Sequence, residues 1–237
     1  MKKRKRNALI LAICLLGVLL LLLIGAVLPL ADRYNLIPRR YYSGADFGVQ
    51  TLLSGCDFNG NEKDDYADLL LGARKDAKNR PRYDGAYQPG GYPPENIGVC
   101  TDVIWRAFRE AGYSLKEMVS KDIAARPKAY GIEKPDANID FRRVPNLEIF
   151  FQEYGQSLTT DIEKIHEWQP GDIVIFGRGK HIGIVSDRRD QDGKPYIIHN
   201  GGQPNREENY FKRDPAPSGH YRFKPQSVPA EILSAWK

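Results

Sequence analysis

The stretch QPGDIVIFGRGKHIGIVSDRRDQDGKPYIIH, residues 169–199, holds three short apolar runs separated by turn-forming residues. The runs cover residues 172–176, 182–186 and 196–199, and they are rich in Ile and Val, which favour strands. The Gly, Pro and Asp residues between the runs are typical of turns. We therefore predict three consecutive antiparallel strands, with a last strand over residues 220–223.

A helical pattern precedes these strands and begins at Cys100. Its apolar positions fall at i, i+3, i+4, i+7 and i+11, which is the spacing of one helix face: Ile104, Ala107, Phe108, Ala111 and Leu115. Gly112 is expected to weaken or end the regular part of this helix. Because a helix comes first and the sheet follows, the order favours an α+β fold with the helix packed on one face of the sheet.

The first part of the chain has a different composition. Residues 7–31 contain no charged residue, and this run is long enough to span a bilayer as a helix. Residues 2–6 are all basic, and basic residues stay on the cytoplasmic side. We therefore predict a cytoplasmic tail at residues 1–6, a single-pass transmembrane anchor at residues 7–31, and an extracytoplasmic position for the rest.

A cleaved signal peptide is the alternative for this segment. Its apolar region would be shorter, about 7–15 residues, and would end in an Ala-x-Ala-like site. Here the run is longer, and Pro29 stands two residues before Ala31, where a small residue is expected. The length favours a retained anchor.

Without the basic tail, the charge of the chain is balanced. The whole sequence has a formal net charge of +5, and five basic residues lie in residues 2–6, so residues 32–237 are neutral overall. A nucleic-acid-binding protein would need a basic patch on its folded part, so no nucleic-acid partner is expected. We predict a linker at residues 32–50 and one domain at residues 51–237, with an insertion around residues 118–166.

Cys100 stands where a nucleophile is expected. A helix N-terminus lowers the pKa of a thiol, and its free N–H groups stabilise an oxyanion. The alternative is a buried structural cysteine, which is common for this residue type. His181 begins a predicted strand beside a turn, and His199 ends the next strand, so the two side chains are within reach of each other. Asn200 is the rival of His199, because neighbouring strand residues point to opposite faces.

At these residues the sequence resembles a family. Residues 169–176, 181–185 and 197–199 resemble the second half of NlpC-type cell-wall peptidases, compact papain-like enzymes that cut peptides in bacterial peptidoglycan. In the first half, Tyr87-Gln88-Pro89-Gly90-Gly91 precedes Gly98-Val99-Cys100, as a Tyr-x-x-Gly-Gly stretch precedes the family's cysteine. The strings GVCTDVIWRAF (98–108), IDFRRVPNL (139–147) and GHYRF (219–223) are similar to a bacterial domain-of-unknown-function family within that superfamily.

The resemblance implies roles for four residues. Cys100 would be the nucleophile, His181 its base and His199 the residue that orients His181, while Tyr87 would help the backbone of Cys100 to hold the oxyanion. It implies hydrolysis of an amide bond in peptidoglycan peptides through an acyl-enzyme, with no cofactor required for catalysis. Two departures affect the substrate: Val99-Cys100-Thr101-Asp102 stands where the family has Asp-Cys-Ser-Gly, and the segment at 118–166 is long.

Two other functions stay open. One is a cysteine-dependent acyltransferase or thioesterase acting on another surface substrate, because a fold does not fix a function. The other is a catalytically silent, surface-anchored binding module. The joint presence of Cys100 and two strand histidines argues against the silent module.

A separate motif lies at residues 57–68, DFNGNEKDDYAD. Its oxygen-bearing side chains and one backbone carbonyl have the spacing of a twelve-residue calcium loop, as in dockerin-type modules: Asp57, Asn59, Asn61, Lys63 (carbonyl), Asp65 and Asp68. Against calcium, position 6 is Glu62, where Gly is wanted for the sharp turn. The alternative is a solvated acidic turn that caps the helix containing Leu69-Leu70-Leu71.

Overall fold

The structure is a computed structural model that describes residues 2–213 and 216–237. Met1 of the predicted basic tail, and Asp214 and Pro215 of the predicted domain, lie outside the described residues. The chain divides into two units, Met1–Arg39 and Arg40–Lys237. Each unit is described by itself.

The first unit is dominated by one helix, α1 (Lys2–Arg33). Its segment Arg4–Arg33 is long and apolar enough to cross a membrane. A signal sequence near an N-terminus passes the same test of length and composition. The structure therefore supports one candidate membrane-spanning helix at the position that the sequence predicts.

The second unit mixes helices with a sheet. Its helices are α2 (Asp65–Asn79), α3 (Cys100–Glu110), α4 (Leu115–Ala125), α5 (Pro127–Tyr130) and α6 (Val144–Tyr154). Its strands are β1 (Arg82–Tyr83), β2 (Ile97–Gly98), β3 (Gly155–Ser157), β4 (Ile173–Phe176), β5 (His181–Arg189), β6 (Pro195–Ile198), β7 (Glu207–Glu208) and β8 (Pro217–Phe223). Short 3-10 turns fill some of the connections.

The main sheet has the strand order β3-β8-β4-β5-β6-β7, and each neighbouring pair is antiparallel. Strands β4, β5 and β6 are the three consecutive strands that the apolar runs predict. The register pairs Phe176 with His181 and Ile184 with Ile198. This register places the start of β5 and the end of β6 at the same end of the sheet, where the predicted histidines lie.

Both faces of the sheet are covered. In β4, Ile173 and Ile175 join the main core cluster together with residues of α3 such as Ile104. Val174 and Phe176 point the other way and join a second, smaller cluster around Trp168. Because strand side chains alternate between faces, a run of four buried residues serves two cores. The predicted packing of α3 on one face of the sheet is what the structure has.

Helix α3 ends earlier than the apolar spacing suggests. Gly112 adopts a φ of +87°, and a Cβ at this position would lie 2.7 Å from the side chain of Asn59. Only glycine combines this backbone conformation with so close a neighbour. Leu115, the last residue of the predicted helix face, instead begins α4.

The segment at residues 118–166 contributes to the core. Met118 and Val119 on α4, and Phe150 and Phe151 on α6, are fully buried in the same cluster as α3. The sequence predicts an insertion here, and the structure packs much of it beneath the sheet as ordinary helical layers.

Candidate active site

A buried carboxylate fixes the turn that leads into α3. The Val99 N–H donates to Asp102 Oδ2 at 2.7 Å, and the Trp105 indole N–H donates to Oδ1 at 2.7 Å. Arg142 donates to both oxygens, at 2.8 and 2.9 Å. This bidentate pair is fully satisfied, which a buried charge requires. Asp102, one of the three residues around Cys100 that depart from the NlpC pattern, therefore anchors the backbone immediately before Cys100.

The thiol of Cys100 lies at the helix N-terminus, and only 6% of the residue is exposed. Burial raises its pKa, and the nearby Asp102 carboxylate adds to this effect. Backbone N–H groups of Ile182 and Thr101 hydrogen-bond to the sulfur and act in the opposite direction. Burial is the largest of these contributions, so the lowering that the helix N-terminus predicts is outweighed. The resting group is a thiol.

His181 begins β5, directly before the Ile182 N–H that faces the thiol. Its Nε2 lies 2.8 Å from Nδ1 of His199, which leaves Nδ1 of His181 for another partner. Burial lowers the pKa of His181 to about 3, and electrostatic interactions with His199 and Arg213 add to the shift. His181 is therefore a neutral imidazole at rest, able to accept a proton.

The structure distinguishes the two candidates for the orienting role. His199 contacts His181, and it is buried with 1% exposure. Asn200 instead donates to the Gly98 carbonyl at 2.9 Å and accepts from the Gly202 N–H at 3.1 Å. The two residues point in different directions, as strand alternation requires. Asn200 thus supports the backbone that leads to Cys100, and His199 is the residue at His181.

Two residues at this site have no counterpart in the sequence analysis. Glu208 Oε1 lies 3.0 Å from Nε2 of His199, and Arg213 donates to Glu208 Oε2 at 2.6 Å. Glu208 is completely buried. It belongs to the two-residue edge strand β7, which has no apolar periodicity to mark it. The sequence indicated Glu208 only indirectly: a buried histidine needs hydrogen-bond partners for both ring nitrogens, so His199 required a second polar partner besides His181.

Three tyrosines are relevant to the thiol. Tyr87, the predicted oxyanion residue, donates to Asp136 at 3.1 Å and accepts from Asn138 at 3.1 Å. Tyr83 is within electrostatic range of Cys100: burial, and then the electrostatic interaction with Cys100, raise the pKa of Tyr83. Tyr210 packs on His199 with ring centres 4.3 Å apart, and its pKa is also raised, first by burial. Tyr83 and Tyr210, rather than Tyr87, have described interactions with the histidine and thiol groups.

An open cavity of about 450 Å³ lies beside His181. Phe176, Tyr210 and Pro217 form its apolar part, and Arg178 and Lys180 supply positive charge. A cleft of this size next to a neutral imidazole can receive part of a peptide-sized substrate.

The acidic loop brings together four of its six predicted ligand residues. Asp57 accepts the N–H groups of Asn61 and Glu62, and the amides of Asn59 and Asn61 both donate to Asp68 Oδ2. Asp68 is completely buried, and its Oδ1 has no hydrogen-bond partner in the described part of the chain. An unpaired carboxylate oxygen in a buried position is costly unless a cation or water meets it.

Asp65 is turned away from this group. Its Oδ1 accepts from Phe58 N–H and its Oδ2 from the Tyr113 hydroxyl. Lys63 donates its N–H to Asn61 Oδ1 and has no described contact through its carbonyl. Among the described residues, no group of three or more His, Cys, Asp or Glu side chains has the arrangement of a metal site. The residues that do converge are therefore two carboxylates and two amides.

Comparisons with known proteins give a family and a relative. The profile of the family described as "Domain of unknown function (DUF1287)" matches residues 70–223. A protein of Escherichia coli (strain K12), named "Uncharacterized protein YijF", is 38% identical over 163 residues, which are 64% of this chain and 78% of that protein. No solved structure matches the chain.

Proposed function

We propose that this chain, which belongs to the DUF1287 family, is an extracytoplasmic cysteine hydrolase with Cys100 as nucleophile and His181 as base. The observation that carries the proposal is the arrangement around His181. A buried thiol at a helix N-terminus faces the start of β5, while a second histidine contacts His181 from the neighbouring strand at 2.8 Å. Nucleophile, base and orienting residue are the three parts of a nucleophilic site.

The reaction begins with two neutral groups. His181 Nδ1 takes the proton of the Cys100 thiol as the sulfur attacks a carbonyl carbon, so that the C–S bond forms and charge moves to the carbonyl oxygen. Backbone N–H groups at the start of α3 stabilise that oxyanion. His181 then gives its proton to the leaving amine as the C–N bond breaks, and water hydrolyses the thioester with His181 again acting as base.

The low pKa of His181 does not prevent this role. The developing thiolate next to the ring favours the imidazolium, so the pKa of His181 rises as the proton moves. Charge separation therefore occurs only when a carbonyl is present to receive the electrons of the sulfur. Such a site is protected from unwanted thiol reactions while it waits for substrate.

For the substrate, we propose an amide bond in a peptidoglycan peptide. The resemblance to papain-like NlpC peptidases at residues 169–199, the antiparallel sheet with α3 packed on it, and an N-terminal helix long enough to span a membrane support this choice. A thioesterase or acyltransferase would use the same residues on another acyl group. A silent binding module would have no need for the buried His181–His199 pair.

The test is hydrolysis of purified peptidoglycan fragments by the full-length chain in detergent, read by mass spectrometry. We expect wild type to cut one amide bond and Cys100→Ala to cut none. Cys56→Ala is the matched control, because Cys56 is also a free thiol outside α1 but contacts Gln226 rather than a histidine. Equal turnover by wild type and Cys100→Ala would refute the assignment of Cys100 as nucleophile. Hydrolysis of a thioester substrate, or transfer of its acyl group to an acceptor, would favour the thioesterase or acyltransferase instead.

The acidic loop supports a separate proposal, a structural calcium ion. Asp57, Asn59, Asn61 and Asp68 would hold it, and Asp68 Oδ1 is a buried oxygen without a hydrogen-bond partner among the described residues. Calcium prefers oxygen ligands of this kind. The ion would fix the loop against the start of α2 and takes no part in catalysis.

A further inference from the structure

The ring of His199 lies between two partners with different chemistry. Nδ1 faces His181 Nε2 at 2.8 Å, and Nε2 faces Glu208 Oε1 at 3.0 Å. A neutral imidazole carries one N–H, so one of these nitrogens donates and the other accepts. If one of the two partners can only accept a hydrogen bond, the His199 nitrogen that faces it must carry the proton.

Glu208 is that partner. Arg213 donates to its second oxygen at 2.6 Å, and a guanidinium at this distance keeps the carboxylate ionised. An ionised carboxylate only accepts hydrogen bonds, so His199 must donate through Nε2. Gln203 Nε2 lies 3.3 Å from Nδ1 and 3.1 Å from Nε2 of the ring and donates to the His199 carbonyl, so it favours neither tautomer.

The consequence passes to His181. With its proton on Nε2, neutral His199 accepts through Nδ1, and His181 must donate through its own Nε2. The remaining nitrogen of His181, Nδ1, is then unprotonated, as a base requires. Burial keeps both rings neutral, with the pKa of each lowered to about 3.

We propose that Glu208 is a positioning residue of the candidate hydrolase: through His199 it holds His181 in the tautomer whose Nδ1 is free to take the Cys100 proton. The inference rests on the proposed function for its catalytic meaning, although the tautomers themselves do not depend on it. The rings of His199 and His181 lie between Glu208 and the sulfur, so Glu208 contacts no reacting atom. When His181 becomes an imidazolium, the negative charge of Glu208 also stabilises it through the same hydrogen bonds.

Because Arg213 donates to Glu208, the substitution Glu208→Gln is expected to reverse the tautomers of both histidines. In Glu208→Gln, the Arg213 N–H that faces Oε2 would meet an NH₂ group as donor against donor, so the new amide turns its oxygen to Arg213 and its NH₂ to His199. His199 Nε2 must then accept, His199 Nδ1 carries the proton, and His181 is forced to accept through Nε2. Its only proton then sits on Nδ1, and the base is lost although every hydrogen bond remains.

The experiment combines kinetics with imidazole nitrogen NMR on the full-length chain in detergent. We expect Glu208→Gln to lower kcat/KM about 10³–10⁴-fold, the size seen when a serine-protease histidine is held in the wrong tautomer. Glu207→Gln is the matched control. It removes a neighbouring carboxylate that binds Arg74 and Ser186 instead, so it should stay within a few-fold of wild type. Glu208→Gln combined with Arg213→Ala should recover at least about tenfold over Glu208→Gln alone, because the amide can then turn its oxygen back to His199.

The NMR measurement separates the two proposals. In the wild type, Nδ1 of His181 should have the chemical shift of an unprotonated nitrogen, and Nε2 of both rings that of a protonated one. A protonated His181 Nδ1 in the wild type would overturn the inference, whatever the enzyme hydrolyses. Unchanged tautomers with near-normal rates in Glu208→Gln would do the same. If the spectra match but no peptide is cut, the proposed function fails and the positioning network stands.

Discussion

Cys100 is buried and His181 is largely shielded from water, and both groups are neutral at rest for this reason. Burial disfavours the charged form of each group, so the pKa of the thiol rises and that of the imidazole falls to about 3. The two shifts act together against a resting thiolate–imidazolium pair. A helix N-terminus alone would predict the opposite for the thiol, and the fold decides the outcome by covering it.

The reactivity of the thiol should therefore depend steeply on pH. A group with a raised pKa is protonated at neutral pH, and its thiolate fraction grows about tenfold per pH unit until the raised pKa is reached. In a Cys14→Ser/Cys56→Ala background, we expect slow alkylation of Cys100 by iodoacetamide at pH 7 and about tenfold faster alkylation per unit above it. His181→Gln should have little effect on the rate of alkylation or on its pH dependence. Fast labelling that is flat between pH 5 and 8 would indicate a preformed ion pair instead.

Tyr83 and Tyr87 offer a paired test of the oxyanion site. Tyr83 is within electrostatic range of Cys100, whereas the Tyr87 hydroxyl is engaged by Asp136 and Asn138. We expect Tyr83→Phe to lower kcat about 10²-fold, the lower end of what one oxyanion donor contributes, and Tyr87→Phe to lower it less. Steady-state kinetics on the cleaved peptide would measure both. The reverse order would favour Tyr87, the residue implied by the family resemblance.

The candidate site was partly predictable from single residues. Cys100, His181 and His199 each stand at a recognisable end of a helix or strand, and their type suggests chemistry. Glu208 stands next to another glutamate in a polar stretch, and its importance depends on β7 pairing with β6. The pairing of a short polar edge strand with β6 produces no periodic pattern of apolar residues in the sequence.

At the scale of elements, the strands with a buried face could be predicted and the edges could not. Strands β4 to β6 are apolar because they face two cores, and their composition marks them. Strands β3 and β7 are three and two residues long and consist of Gly-Gln-Ser and Glu-Glu. Short polar edge strands limit unwanted pairing with other chains, and for the same reason they resemble loops in sequence.

The acidic loop before α2 should respond to calcium. The buried Asp68 Oδ1 lacks a partner without it, so binding should raise the melting temperature of the full-length chain in calcium over that in chelator. Asp68→Asn should abolish this difference. Glu62 has a φ of +66°, which an L-residue adopts at a cost, so Glu62→Gly should stabilise the loop and increase the calcium response.

A plain acidic turn would behave differently. Melting of the parent protein would be identical in calcium and chelator, and Asp68→Asn would relieve a buried charge and raise stability in both. Asp65→Asn is a useful comparison, because Asp65 bonds Tyr113 and the Phe58 N–H rather than the side chains that would hold the ion. It should lower stability without removing the calcium response.

At the scale of the molecule, the region between α3 and β4 behaves as part of the fold. Phe150 and Phe151 share a core with Phe108 of α3 and Phe223 of β8, so this region cannot be removed without exposing the centre of the domain. The sequence marks it as long and irregular because its helices are short and broken by proline. The length of a connection therefore did not predict how much of it was buried.

The last prediction concerns the anchor. Residues 7–31 form an apolar run that is longer than the core of a signal peptide, and the tail before this run is basic, so we expect the chain to be retained in the membrane with residues 40–237 outside. Intact mass of the protein from isolated bacterial membranes should equal the full chain, and protease added to spheroplasts should digest the second unit. Replacing the five basic residues at 2–6 with Gln should reduce that digestion, because the charge bias that orients the helix is gone. A soluble product that begins near residue 32 would show instead that the helix is a cleaved signal, and the second unit would then be secreted with its candidate site unchanged.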